Sequence, residues 1–273
     1  MIKPIAIIAG EPNSISSEII FKSWNLRKKY VHKPLIIIGS IQLLNSQKKK
    51  LKYHIKIREI KSSFDLRKLN KDELPVYNVK YKQKKPFDKI SSKSNKYIFK
   101  CFNIATKLID EKKILGFINC PVSKETLFKK RHQGITEFLS KKAGTKGDEV
   151  MLIYNKKLST SPLTTHIPLN QVTNKISKSK IVQKVRTIYN FYKKNLKKNP
   201  NIAILGLNPH NFTTTKDSDK KKIIFSSIKA IKKFKIKVVG PISPDTSFML
   251  FKKYKFDVIF GMYHDQVLTP FKS

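Results

Sequence analysis

The chain has 273 residues, and 58 Lys+Arg against 18 Asp+Glu give it a formal net charge of +40. A hydrophobic share of 40% excludes a disordered basic tail, and nine glycines with 13 prolines exclude a fibrous or low-complexity chain. No apolar run reaches the roughly 18 residues of a membrane span.

The N-terminus, Met1-Ile2-Lys3-Pro4, carries no small-residue cleavage site, so no signal peptide is expected. Ile5-Ala6-Ile7-Ile8 reads as a first buried strand running into a Gly10-Glu11-Pro12 turn. Leu35-Ile36-Ile37-Ile38-Gly39 reads as a second, closed by glycine. The more polar stretch from about 48 to 93 is expected to be a peripheral excursion. Residues 94–111 have the length of a helix, and 114–118 form a third strand leading to Asn119-Cys120-Pro121. Thr136-Glu137 opens a helix whose first turn suits an N-cap or an anion.

Further strands are expected at 163–166, 202–206, 238–240 and 257–261, with helices over 178–198 and 218–234. Apolar strands alternating with helical stretches predict an α/β fold with a largely parallel sheet. Cys101 and Cys120, the two cysteines, make neither a disulfide framework nor a metal knuckle, which points to a reducing, cytoplasmic compartment.

A charge of +40 suggests nucleic acid as partner. Yet only Arg27, Arg58, Arg67, Arg131 and Arg186 are arginines, the residue favoured for bidentate phosphate or guanine contacts. The lysines also run from end to end, from Lys48-Lys49-Lys50 to Lys232-Lys233. A solvated lysine surface, typical of an AT-rich genome, is the preferred reading. No specific nucleic-acid partner and no membrane are expected.

Ligands of parallel α/β sheets gather at the C-terminal ends of strands. Three of the six histidines lie just past apolar segments, in Thr164-Thr165-His166-Ile167-Pro168-Leu169, Gly206-Leu207-Asn208-Pro209-His210 and Met262-Tyr263-His264-Asp265-Gln266. Three such imidazoles can converge on one divalent metal with a position left for substrate. Equally, each can be a separate loop or core histidine, and spacing alone does not decide. Glu11 and Asp245 can be site carboxylates or simply turn and capping residues. The chain has no G-x-G-x-x-G and no Walker loop, which disfavours a Rossmann or P-loop site.

These three motifs, with Ala9-Gly10-Glu11-Pro12, Cys120-Pro121-Val122-Ser123-Lys124, Gly134-Ile135-Thr136-Glu137-Phe138 and Pro244-Asp245-Thr246, resemble the 4-hydroxythreonine-4-phosphate dehydrogenases of vitamin B6 synthesis. The resemblance covers nearly the whole chain, in the family's order. It implies an isocitrate/isopropylmalate-dehydrogenase-like fold and one catalytic unit of two intertwined subdomains over 1–273. It also implies NAD or NADP as cofactor, with no contact residue assignable, and a homodimer with shared active sites. His166, His210 and His264 would ligate a divalent metal (Zn, Co, Mn or Mg), the third histidine coming from the partner. The metal would act as a Lewis acid on the substrate's secondary alcohol, and hydride would pass to the nicotinamide. The keto acid formed would lose CO2 to give 3-amino-2-oxopropyl phosphate. Thr136 and Lys272 match substrate-contacting positions, Lys272 being counted with the catalytic set, and Asp245 matches an acidic position near the reacting centre.

The chain departs from the family pattern in places. Ile135 stands where the family has a substrate-binding histidine. Asn211-Phe212-Thr213-Thr214-Thr215 replaces a glycine-rich stretch. The family runs on for several dozen residues past the third histidine motif, so a C-terminal portion is expected to be missing. Two alternatives stand beside the main reading. One is a related dehydrogenase of another 4-phosphorylated hydroxy acid, of the tetronate phosphate type. The other is an inactive truncated member or a polyanion-binding protein.

Overall fold

The Ile- and Val-rich segments pair into two all-parallel sheets, one in each of two compact units, Met1–His132 and Gln133–Ser273. The computed structural model describes residues 3–30, 33–61, 64, 72–128, 134–145, 149–209 and 218–272.

The first unit runs β1 (Ile5–Ile8), α1 (Ser16–Tyr30), β2 (Leu35–Gly39), α2 (Ile41–Lys50), β3 (Lys56–Ile60), β4 (Glu73–Asn78), α3 (Asn95–Asp110), β5 (Gly116–Asn119) and α4 (Lys124–Phe128). Its strands pair in the order β3-β4-β2-β1-β5. Side chains alternate across the pleat. Ile7, Leu35, Ile37, Leu74 and Val76 pack on one face with Ile20, Phe21 and Trp24 of α1 and Leu44 of α2. Ile36 and Ile38 are as deeply buried on the other, where α3 lies across β1 and β2. Each such isoleucine contributes about 1.5–3 kcal/mol by leaving water, which is why these strands are apolar at every position.

The stretch from 48 to 93 is not the peripheral excursion that its polarity suggests. Leu74 and Val76 of β4 are fully buried, and β4 pairs with β2 on one side and β3 on the other. Pro75 interrupts the strand pattern of β4, and Lys56, Arg58 and Glu59 place β3 at the solvated sheet edge.

The second unit runs α5 (Ile135–Lys142), β6 (Ser159–Pro162), α6 (Val172–Lys175), α7 (Lys178–Phe191) with a π-helical turn over Tyr192–Leu196, β7 (Ile202–Leu205), α8 (Ser218–Lys233), β8 (Val238–Ile242), α9 (Pro244–Tyr254), β9 (Val258–Gly261) and α10 (His264–Lys272). The strand order is β6-β9-β7-β8. Ile202, Ile204, Val238, Val258 and Phe260 pack with Ile181 and Val185 of α7 and Ile224, Ile228 and Ile231 of α8. Ala203, Leu205 and Ile259 pack with Val267 and Leu268 of α10 on the other face.

The strand expected at 163–166 lies four residues earlier. Its residues, Ser159-Thr160-Ser161-Pro162, are wholly buried yet polar, and hydroxyls take up the ladder's spare groups. Thr160 Oγ1 donates to Ile259 O (3.1 Å), and Ser159 Oγ accepts from Tyr192 Oη (2.8 Å).

The lysine excess has a pattern. Last turns of helices carry Arg27-Lys28-Lys29, Lys48-Lys49-Lys50, Lys141-Lys142, Lys232-Lys233 and Lys252-Lys253, where cations meet the negative end of the helix dipole. Lys52, Lys112, Lys197, Lys235 and Lys255, each just past a helix, hold left-handed backbone with φ of 58°, 55°, 56°, 58° and 51°. Glycine is the usual occupant of that position, so lysine here stands in for a residue the chain uses only nine times. Among the described residues, no helix is long and apolar enough to cross a membrane.

A side chain in left-handed backbone costs about 1–2 kcal/mol, offset in part by the greater chain entropy glycine loses on folding. Lys→Gly at 52, 112, 197, 235 and 255 should therefore each stabilise by about 0.5 kcal/mol. The combined variant's urea midpoint should rise, and a midpoint that falls would contradict the account.

Candidate metal and substrate site

At the C-terminal edge of the second sheet the strands stop pairing, and backbone groups leaving the ladder need new partners. Met262, just past β9, is held from both sides. Its carbonyl accepts from Thr164 N (3.2 Å) and Thr164 Oγ1 (2.8 Å) on the loop after β6. Its N–H donates to Gln266 Oε1 (2.6 Å). The same amide donates through Nε2 to Gly206 O (2.8 Å) and Leu207 O (3.2 Å) past the end of β7. Gly206 N donates to Ile242 O (2.9 Å) at the end of β8, and Ser243 Oγ donates to Pro209 O. Four strand ends are thus tied together.

Thr164 lies two residues before His166, and Met262 two before His264. The two imidazoles stand side by side, centroids 5.6 Å apart and planes inclined by 42°. His166 is exposed, and His264, the first residue of α10, keeps about a third of its side chain in solvent. Its Nδ1–H donates to Asp265 Oδ1 (2.6 Å). A hydrogen bond from Nδ1 to a carboxylate is the partnership that metal-ligating histidines commonly have, with Nε2 as the nitrogen left for a metal. Two imidazoles sharing a tetrahedral ion through bonds of about 2.0–2.1 Å place their centroids about 5 Å apart. The pair therefore suits a divalent ion. The resemblance implies a ligand from a partner subunit, but His264 meets His166 within one chain. His210, the other expected ligand, lies outside the described residues. Among the described residues there is no cluster of three or more His, Cys, Asp or Glu able to hold a metal.

The remaining predicted positions lie at helix ends of the second unit. Asp245 is exposed in the first turn of α9, behind Pro244 and the Ser243 that ties that helix to Pro209. Thr136 is exposed in the first turn of α5, whose N-cap, Gly134, supplies no side-chain cap and has the Glu137 carboxylate close by. Lys272 closes α10, about 12 Å along the helix axis from His264 at about 1.5 Å per residue. Among the described residues, neither Thr136 nor Lys272 hydrogen-bonds to the histidine pair.

The first unit treats its motifs as structure. Gly10 has φ +69°, and a Cβ there would stand 2.5 Å from Pro121 O, so glycine is required where the two strand-end loops touch. Glu11 is buried and accepts from Ser94 Oγ (2.9 Å) and Asn13 N (3.3 Å), a turn-holding role. Burial pushes the Cys120 thiol up to about 11 and that of Cys101 up to about 12, so neither is a reactive thiolate near neutral pH.

Residues 31–273 match the family described as Pyridoxal phosphate biosynthetic protein PdxA. The chain belongs to this family. Among PdxA relatives, the 4-hydroxythreonine-4-phosphate dehydrogenase of Sulfurihydrogenibium sp. is 35% identical over 273 residues, covering 98% of this chain and 82% of its own. The D-threonate 4-phosphate dehydrogenase of Pectobacterium atrosepticum is 26% identical over 285 residues, covering 100% of this chain and 84% of its own. The crystal structure of 4-hydroxythreonine-4-phosphate dehydrogenase from Klebsiella pneumoniae matches with a TM-score of 0.85 at 26% identity, covering 99% of this chain and 84% of that one. The isocitrate/isopropylmalate-dehydrogenase-like fold implied by the motifs is the fold of this PdxA chain.

Thr164, Asp265 and Gln266 lie inside the histidine motifs, but spacing assigns them no role. An acid one residue after a motif histidine was the available signal for Asp265. Thr164 and Gln266 carry none, because a single hydroxyl or amide has no periodicity, and Met262 O is remote from Thr164 in sequence, as Gly206 O and Leu207 O are from Gln266.

Gly261 ends β9 beneath this arrangement. A Cβ there would meet Val267 Cγ1 at 2.4 Å and Gln266 Oε1 at 2.7 Å. Val267 is fully buried and Gln266 is held by its hydrogen bonds, so neither can yield. Gly261→Ala should cost about 1–3 kcal/mol by overpacking, read as a lower urea midpoint. An unchanged midpoint would contradict this packing.

Proposed function

We propose that the chain oxidises 4-phosphohydroxy-L-threonine with NAD or NADP to 2-amino-3-oxo-4-phosphooxybutanoate, which decarboxylates to 3-amino-2-oxopropyl phosphate, in pyridoxine 5'-phosphate synthesis. The observation that carries the reading is the His166–His264 pair, with the His264 ring oriented by Asp265, at the strand ends of a PdxA-family chain. The names of its relatives supply the substrate class.

His166 and His264 would hold a divalent ion, with His210 as third ligand. When bound, the ion supplies a Lewis acid to the substrate alcohol and the nicotinamide accepts hydride. The chain's own residues do the rest. The first turn of α5 and the Thr136 hydroxyl receive the phosphate, and Lys272 adds positive charge toward it. Asp245 takes a proton as the alcohol becomes a ketone. The Asp265 carboxylate accepts from Nδ1–H of His264 and so orients the ring. The working form is a homodimer in the cytoplasm, a compartment that suits the free, buried Cys101 and Cys120.

Ile135 favours a second reading. It occupies the first residue of α5, beside Thr136, and cannot hydrogen-bond to a polar substrate group. A D-threonate 4-phosphate-type substrate, without the amino group, would make less demand on that position, and PdxA relatives carry that name.

The test is NAD(P)H formation by the metal-loaded protein with 4-phosphohydroxythreonine and with D-threonate 4-phosphate. Turnover of the first should dominate, stop with a chelator, and fall at least roughly 100-fold in His166→Ala and His264→Ala, as expected for losing ligands of a catalytic ion. Preference for the second substrate would favour the alternative. A folded, metal-loaded protein that turns over neither contradicts both.

A further inference from the structure

We infer that Gln266 is a positioning residue for the metal site. Its side-chain amide replaces the missing rungs of the β7–β9 ladder and so fixes the loops that carry the histidines. This rests on the proposed histidine site.

The ladder between β7 and β9 has register Ile202↔Val258, Ala203↔Ile259 and Ile204↔Phe260, and stops there. Beyond it β7 leads to Gly206-Leu207 and β9 to Met262-Tyr263-His264. Across the gap stands one side chain, 8% exposed, whose amide uses its acceptor and both donors on backbone. Oε1 takes Met262 N–H at 2.6 Å, while Nε2 gives to Gly206 O at 2.8 Å and Leu207 O at 3.2 Å. The donors cannot come from a carboxylate, and the reach needs two methylenes, so Gln is the residue the gap calls for.

Gln266 is in the first turns of α10, two residues after His264. One side chain thereby couples the helix start that bears His264 to the loop three residues before His210. Thr164 closes the opposite flank on the Met262 carbonyl, with His166 two residues on. Buried amides left unsatisfied are expensive, so this bracing sets a single geometry for the loops. Gln266 touches neither imidazole and acts on them only through backbone.

The experiment measures Co2+ affinity and the Co2+ visible absorption spectrum of the full chain, wild type and variants. Gln266→Met removes all three bonds. Gln266→Glu keeps the acceptor for Met262 N–H, loses both donors, and serves if the first fails to fold. Gln47→Met is the control, because Gln47 is another buried glutamine, donating to Pro12 O (2.7 Å) and Pro86 O (2.9 Å) in the first unit.

Both Gln266 variants should weaken Co2+ binding about 10–100-fold, as loss of outer-shell support does, with a weaker, shifted spectrum. Gln47→Met should match wild type in both. Unchanged affinity and spectrum in the Gln266 variants would overturn this inference alone. A wild-type chain that binds no Co2+ would sink the metal reading and this inference with it. Equal weakening by Gln47→Met would also overturn it, by making the effect one of general destabilisation.

Discussion

The peptide groups on either side of Met262 face a constraint common to parallel sheets: the ladder ends where the ligand site must begin. Backbone N–H and C=O groups leaving a strand cannot stay unpaired in a buried loop. In this chain Thr164 takes the carbonyl from the loop after β6, and Gln266 takes the N–H from α10, four residues further along the same segment. His166 and His264 inherit their proximity from those bonds. Gly261 belongs to the same arrangement, since only a residue without Cβ lets Gln266 and Val267 lie so close to the end of β9.

The charge follows a second constraint. In parallel α/β units a helix starts near the C-terminal end of the preceding strand and ends near the N-terminal edge of the sheet. Lysines crowd the last turns and left-handed ends of helices, whereas first turns carry Glu18, Glu137, Asp245 and Asp265. The cations of those last turns therefore sit away from the strand-end loops, while Lys124, Lys178 and Lys180 lie in first turns. Helix dipoles account for that placement without an anionic partner.

What was legible in the sequence follows the same physics. β1, β2, β7 and β9 are buried on both faces and announced themselves as apolar runs. β6 did not, because it is polar in sequence: its Ser159 and Thr160 hydroxyls pair with Tyr192 Oη and Ile259 O, contacts no local pattern reveals. β3 and β4 were hidden by edge charges and by Pro75. The histidines were legible because each follows an apolar run, but their grouping rested on a family resemblance and not on spacing. Gln266 and Thr164 were invisible as functional residues, since a single amide or hydroxyl carries no periodicity and finds its partners 60 and 98 positions away.

The metal site we propose depends on strand-end bracing that brings His166 and His264 together. The most direct measurement is anomalous diffraction from crystals of the Zn2+- or Co2+-loaded protein, collected on either side of the metal's absorption edge. The account predicts one strong anomalous peak per chain, within bonding distance of Nε2 of both His166 and His264, with His264 Nδ1 still on Asp265. A peak bound elsewhere, or the two imidazoles turned apart with no ion between them, would contradict it.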